Sequence, residues 1–469
     1  MKQPTSLQEL ARNVLILLIL LLLILAPRPI AGYLDLRQAR YFDVAGKHAF
    51  AAYAYASAAE RLPWQPDLWE KAGIAAQLGG NPVDALPLLN QAAARNAISQ
   101  PGWVSLGMAY QALGDLPSAM NAWQHALPLA EAYRNLAMDQ RMMGNFQGAV
   151  ASWRASLAQE PQNASAQYQL GLLEMTIAPK DALPELMRAA SLDPLLDDSI
   201  QSLRSALNNA FLSDDQAYQF VVSGRALGAS GNWDLAVEAF RIAIAERADY
   251  GEAWAWLGEA KQRQGQDGSI EVERALAYNP GSAMIQSLYG LYLQRQKQPK
   301  KALAAFQKAA ALEPGDPGWQ MALGGAYEQT GDLVAALEHY QRAVTLSPNE
   351  ATTWRALADF SLRNSVDLTD IGLPAARKLV ELANNDWRSE DIAGQILLEN
   401  GDMIGAEVLL KKAFELDPTQ AASSLHLGLL YLQTGDRTAA YSYINQARIF
   451  DPDGPYGWQA KRLLEQFFP

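Results

Sequence analysis

The chain has 469 residues, no cysteine and a formal net charge of −12. The missing cysteines exclude disulfides, thiolate metal sites and cysteine nucleophiles, and leave the redox compartment open. The acidic balance argues against a nucleic-acid partner, since a basic surface is needed to displace counterions from phosphates.

Val14 to Ala26 reads VLILLILLLLILA, an uninterrupted apolar run that Pro27-Arg28-Pro29 is expected to stop. Ser6-Leu-Gln-Glu9 has the form of a capping box, so a helix is predicted from near Leu7 to Ala26, with Val14, Leu18, Leu22 and Leu25 along the anchor. About 20 residues at 1.5 Å each give roughly 30 Å, enough to cross a bilayer core. A cleaved signal peptide is the alternative, because such a run also suits one. The proline after Ala26 and the lack of A-x-A before Tyr33 favour an uncleaved anchor. Flanking charge is ambiguous, with Lys2 and Arg12 on one side and Arg28, Arg37 and Arg40 on the other. The expected orientation has the N-terminus in the cytoplasm and the remainder outside it, periplasmic or extracellular.

From Gly32 to Pro66 the pattern predicts a degenerate helical hairpin, Tyr33 to Phe42 and Ala49 to Arg61. Gly46, Gly80 and Gly114 follow one another at intervals of 34 residues, as do Ala51, Ala85 and Ala119, and Ala58, Ala92 and Ala126. Gly80-Asn81, Gly114-Asp115 and Gly144-Asn145 mark the turns, glycine supplying the positive φ that ends one helix and Asn or Asp capping the next. After Pro194, Leu195 to Ser213 is an extra helical piece, either a bend between two sub-arrays or a degenerate repeat packed in line. Repeats resume at Ala217; the seventh has a short second helix before Pro280, and the tenth a long turn from Arg363 to Pro374. In the ninth, Leu323, Gly324 and Tyr327 share one stripe and Ala336, Tyr340 and Ala343 a second, with Gly324 expected to admit a close neighbour. Ala302, Phe306, Ala309 and Pro314 return as Ala336, Tyr340, Ala343 and Pro348. Tyr456 to Phe468 reads as a terminal cap helix. A self-similar period of this length marks a stack of helical hairpins.

Trp103-Val-Ser-Leu106-Gly107-Met-Ala-Tyr110, followed by Ala119 and Trp123, resembles the W-x2-L-G-x2-Y and A-x3-F signature of the tetratricopeptide repeat family. About twelve such units begin near Gly32, Pro66, Gln100, Ala130, Ala164, Ala217, Gly251, Ala283, Pro317, Ala351, Trp387 and Ala421. The resemblance implies an all-α, right-handed superhelical solenoid, here with an N-terminal transmembrane helix. The expected organisation is an anchor over 1–31, a first half-array over 32–194, an insert over 195–216, a second half-array over 217–454 and a cap over 455–469.

No catalytic set is legible. His48, His125, His339 and His426 fall in different repeats and read as ordinary helix residues, with no second ligand at metal spacing. No P-loop, dinucleotide or nucleophile-elbow motif occurs. Asp451-Pro-Asp453-Gly454 has the opening of a calcium loop but lacks its closing glutamate, so a turn is the better reading. Neither cofactor nor metal is expected.

What the family resemblance does imply is a concave groove lined by a stripe about 110° round from the packing stripe of each first helix. Met108, Arg134, Met138, Arg141, Tyr168, Leu172 and Met175 would make an apolar trough with a cationic rim, and Leu425, Leu429 and Leu432 a second. Arg355, Asp359 and Leu362, then Asp391, Gln395 and Leu398, fall on the same stripe in the tenth and eleventh repeats. Either trough would take an apolar or acidic-tailed peptide, or be filled by a neighbouring hairpin or the cap. The function expected is a non-catalytic, membrane-tethered scaffold for partner proteins or peptide segments, in bacterial envelope assembly or secretion. Alternatives are a permanent structural subunit of a membrane complex and the accessory region of an enzyme such as a glycosyltransferase.

Overall fold

The computed structural model describes residues 14–16, 27–383 and 385–468. The expected anchor falls largely outside them: Leu18, Leu22 and Leu25 are not described, while Val14 is helical and exposed. Among the described residues no helix is long and apolar enough to cross a membrane. Pro27, Arg28 and Pro29 lie within α1 (Pro27–Val44), and whether the apolar run stops there falls outside the described residues. The helix therefore includes residues well before Tyr33, the expected start of the first hairpin's first helix.

Every regular element among the described residues is helical, and they form two compact units, Met1–Ala248 and Asp249–Pro469. In the first, α1 is followed by α2 (His48–Arg61), α3 (Asp67–Leu78), α4 (Pro82–Ala94), α5 (Gln100–Ala112), α6 (Leu116–His125), α7 (Ala130–Met142), α8 (Phe146–Gln159), α9 (Ala164–Ile177), α10 (Pro179–Leu192), α11 (Asp197–Ala210), α12 (Gln216–Ala229) and α13 (Trp233–Glu246). The second holds α14 (Gly251–Arg263), α15 (Ser269–Tyr278), α16 (Ala283–Arg295), α17 (Pro299–Leu312), α18 (Pro317–Thr330), α19 (Leu333–Leu346), α20 (Ala351–Asn364), α21 (Leu373–Leu382), α22 (Trp387–Glu399), α23 (Met403–Leu416), α24 (Ala421–Thr434), α25 (Arg437–Phe450) and α26 (Pro455–Phe467). Apart from α11 and α26, they pair into consecutive hairpins.

The sequence signs map directly onto this architecture. Gly114 has φ +81°, a left-handed conformation open to glycine, and ends the connection after α5. Asp115 then starts α6, its carboxylate accepting the Ser118 N–H at 3.2 Å. A Cβ on Gly324 would lie 3.2 Å from the Tyr340 ring, so the bare backbone lets α18 and α19 pack a few tenths of an ångström closer than a side chain would allow. Ala51, Ala58, Ala85, Ala92, Ala119 and Ala126 are all fully buried between paired helices.

The irregular stretches take shape as well. A 3-10 turn (Pro194–Leu196) leads into the lone helix α11. Beyond it, α12 and α13 turn back to touch α9, which already packs between α8 and α10. Ala166, Gln167 and Leu170 to Thr176 are consequently buried round the whole circumference of α9. The boundary between the compact units lies after α13, since the sixth hairpin stays with the first unit. In the second unit, α15 has ten residues, and a π-helical turn (Leu368–Gly372) lengthens the link between α20 and α21.

Candidate functional site

The first expected trough is not open. Leu172 and Met175 are fully buried, because α12 and α13 cover the face of α9 that carries them. Both rim cations are taken up inside the protein. Arg134 pairs with Glu160. Arg141 grips Asp234 through Nε and Nη2 at 2.7 and 2.8 Å, donates to Asn232 Oδ1 at 3.0 Å and to Gln169 Oε1 at 3.2 Å. Burial would raise the Asp234 carboxyl, but hydrogen bonds and charge from Arg141 outweigh it and hold it below the usual value. Burial raises the half-buried Tyr168, against the charge of Arg141. Met108 is half-buried and Met138 exposed, so only fragments of the surface remain.

The second expected trough is covered too. Leu425 is fully buried, and Leu429 and Leu432 pack with Leu463, Leu464 and Phe468 around a cluster that includes Ala460 of α26. Phe468 sits edge-on to Tyr441 at 5.4 Å, with the Arg437 guanidinium 4.9 Å from its ring centroid. Phe468 thus packs against the α24–α25 hairpin.

An open site lies elsewhere on the same stripe. Arg355 and Asp359 from α20, Asp391 and Gln395 from α22, His426 from α24 and Tyr456 from α26 line one cavity of about 780 Å³ in the second unit. Successive first helices present equivalent positions side by side, which is how residues 35 apart meet. His426 Nδ1 lies 2.9 Å from both carboxylate oxygens of Asp391, which also accepts from Gln395 Nε2 at 2.9 Å. The Asp386 carboxylate accepts from Arg355 Nη2 at 2.6 Å, while Arg355 Nε is buried without a partner.

Most groove carboxylates of this unit are already satisfied by a residue one repeat further on. Glu259 takes a bidentate pair from Arg295 at 2.6 Å and a third contact from Arg263 at 2.8 Å. Glu328 accepts from Arg363 at 3.1 Å, Asn364 at 2.8 Å and Tyr340 at 3.1 Å. Burial raises both glutamates, and their cationic partners more than offset it, leaving each below the usual range. Asp359 is different: burial pushes its carboxyl up, and its nearest cation, Arg363 Nη1, is 3.9 Å away. Arg388 is exposed, stacks over Trp387 at 5.3 Å and makes no ion pair among the described residues. The cavity therefore offers an uncommitted cation, an underused carboxylate and an orphaned guanidinium N–H.

Arg355, Asp359, Asp391 and Gln395 were legible from the stripe, whereas the part played by His426 was not. The signal for it is the period itself: one repeat separates it from Asp391. The other histidines are spread over separate contacts, His125 stacking on Trp103 at 4.5 Å and His339 on Tyr327 at 5.3 Å. Asp451 holds the start of α26, accepting the Tyr456 N–H at 3.0 Å. No cluster of metal-ligating residues occurs among the described residues.

Helical hairpins on a fixed period, with the first helices lining a groove, define an all-helical repeat solenoid. The repeats are tetratricopeptide repeats: one profile so described matches residues 134–194, 222–267, 261–317 and 290–351, and a second matches residues 397–464. Among curated proteins no sequence match was found. Similar solved structures include yeast Tom70, at 15% identity over 93% of this chain and 95% of that one with a TM-score of 0.43. The APC/C hetero-tetramer Cut9-Hcn1 is 13% identical over 92% and 95%, with a TM-score of 0.42. YrrB, a TPR protein with an unusual peptide-binding site, is 21% identical over 41% of this chain and 98% of that one, with a TM-score of 0.32.

Proposed function

We propose that the protein is a non-catalytic scaffold that binds a partner protein or peptide segment in the groove of its second unit. Proteins of this repeat class generally mediate protein–protein or peptide binding. The observation that carries the reading is the cavity where three successive first helices converge, with Arg388 in no ion pair among the described residues and Asp359 held only by a 3.9 Å contact to Arg363. An extended segment fits this chemistry, its carboxylate meeting Arg388 and its amides meeting Asp359 and Gln395. The apolar run Val14–Ala26 supports a tether, and the orientation proposed with it has the N-terminus in the cytoplasm and the array outside. Bacterial envelope assembly or secretion is the setting that such a tether and groove suit.

The test is capture of partners by the full chain from detergent extract, followed by affinity measurement with the segment identified. Arg388→Glu should weaken binding about tenfold, as expected for one charge-assisted contact, and Asp359→Asn by less. Arg134→Glu, in the other unit, should leave binding unchanged. Full affinity in the first two variants counts against this groove.

A further inference from the structure

Helix α1 carries two apolar faces, and the fold uses one. Gly32, Leu36 and Ala39 are buried against the hairpin. On the opposite side Ile30, Tyr33, Leu34, Tyr41 and Val44 form a stripe at helical spacing, each between 51% and 92% exposed. Single exposed apolar residues are ordinary, but a whole stripe marks an interaction surface. Tyr41, Phe42 and Phe50 extend it as an aromatic chain with ring centroids 5.8 and 5.5 Å apart.

The charges of α1 are sorted in the same way. Its acids turn inward: Asp35 pairs with Arg61, and Asp43 accepts from Tyr55 at 3.4 Å and faces His48 at 3.4 Å. Arg37 and Arg40 make no ion pair among the described residues, and Arg37 lies within the exposed stripe. In a chain of net charge −12, this helix leaves arginines and tyrosines outward together. The apolar run ends at Ala26 in the sequence, and the described residues of α1 follow directly after it.

We propose that α1 lies along a bilayer containing anionic lipid, with the Ile30–Val44 stripe at headgroup depth and Arg37 and Arg40 on lipid phosphates. The aromatic rings suit the interface and the arginines the negative surface. A helix standing along the bilayer normal would carry Val44 about 26 Å from Pro27, beyond the headgroups, so only a helix lying flat buries the whole stripe. The proposal rests on the tether reading.

The lack of native cysteine makes single-site labelling straightforward. Full chains carrying Leu34→Cys or Val44→Cys, with Thr330→Cys as a solvent reference, would be labelled with an environment-sensitive fluorophore and reconstituted into phosphatidylcholine vesicles with or without ~30% phosphatidylglycerol. On anionic vesicles both α1 labels should shift to the blue and resist iodide quenching, and Arg37→Glu with Arg40→Glu should weaken that protection roughly fivefold per arginine. Labels as quenchable as Thr330→Cys, on chains that still float with the vesicles, overturn the proposal and leave the tether standing. Loss of flotation sinks both. Protection that needs no anionic lipid and grows with protein density assigns the face to a second copy and also overturns the proposal.

Discussion

Arg141 of α7 closes on Asp234 of α13 across 93 residues of sequence, holding both carboxylate oxygens at 2.7 and 2.8 Å. The same guanidinium occupies Asn232, whose side chain makes no cap on α13, unlike Asn81, Asp115 and Asn145 at equivalent turns. One arginine thus fastens the sixth hairpin over the face of α9 that a peptide would otherwise use.

Breaking that fastening should loosen one hairpin. Arg141→Ala and Asp234→Ala are expected to couple by about 1 kcal/mol in a double-mutant cycle, a bidentate pair discounted for the partial exposure of Asp234. Native-state hydrogen exchange should show the loss concentrated in α12 and α13. Purely additive effects would mean the contact holds nothing.

Glu174, deep in α9, gives the first unit a pH dependence. Burial pushes its carboxyl up to about 6, although Arg154 Nη2 donates to it at 2.7 Å, while its other oxygen has no partner. The folded state therefore holds the proton more tightly than the unfolded chain. This contribution is complete below pH 4.5 and fades as pH rises to about 6, by about 2 kcal/mol. Glu174→Gln should flatten this part of the stability curve, and an unchanged slope would assign it to another group.

Trp123 and Asp139 form a buried pair inside the fourth hairpin's contact with the third. The indole N–H donates to Asp139 Oδ2 at 2.7 Å, and Gln111 donates to the other oxygen at 2.6 Å. Trp123→Phe removes a donor from a fully buried carboxylate and should cost about 1–3 kcal/mol in chemical unfolding. Adding Asp139→Asn should recover part of it, since a neutral amide tolerates the lost donor better. If the single variant costs nothing, water has replaced the indole.

Ending the chain after Gly454 removes α26 and uncovers Leu429, Leu432 and the cluster around Leu425. The truncated chain should self-associate and lose exchange protection in α24 and α25, with α14 to α19 unaffected. A monomeric product with α24 still protected would show that the cap is dispensable.

The period, the turn glycines and the small residues between helices were readable because each depends on contacts within a hairpin or with the next one. The groove stripe followed from the same geometry, which is why Arg355, Asp359, Asp391 and Gln395 emerge where the cavity is. The first trough is closed because α12 and α13, displaced by a lone helix whose path no local spacing encodes, bury Leu172 and Met175, and the second is filled by the cap, one of the two alternatives expected for it. One clue was present: in LGLLEMTI, from Leu170 to Ile177, the apolar residues reach well beyond one face, with Glu174 and Thr176 the polar exceptions, which a helix with one face to water does not need.

The encirclement of α9 bears on how the first unit comes apart. A stack in which each hairpin meets only its neighbours can fray from an end and lose its members singly. Here α9 is clasped by segments both before and after it, so the later hairpins of this unit must release as a block, and melting in that region should be sharper than its modular construction suggests.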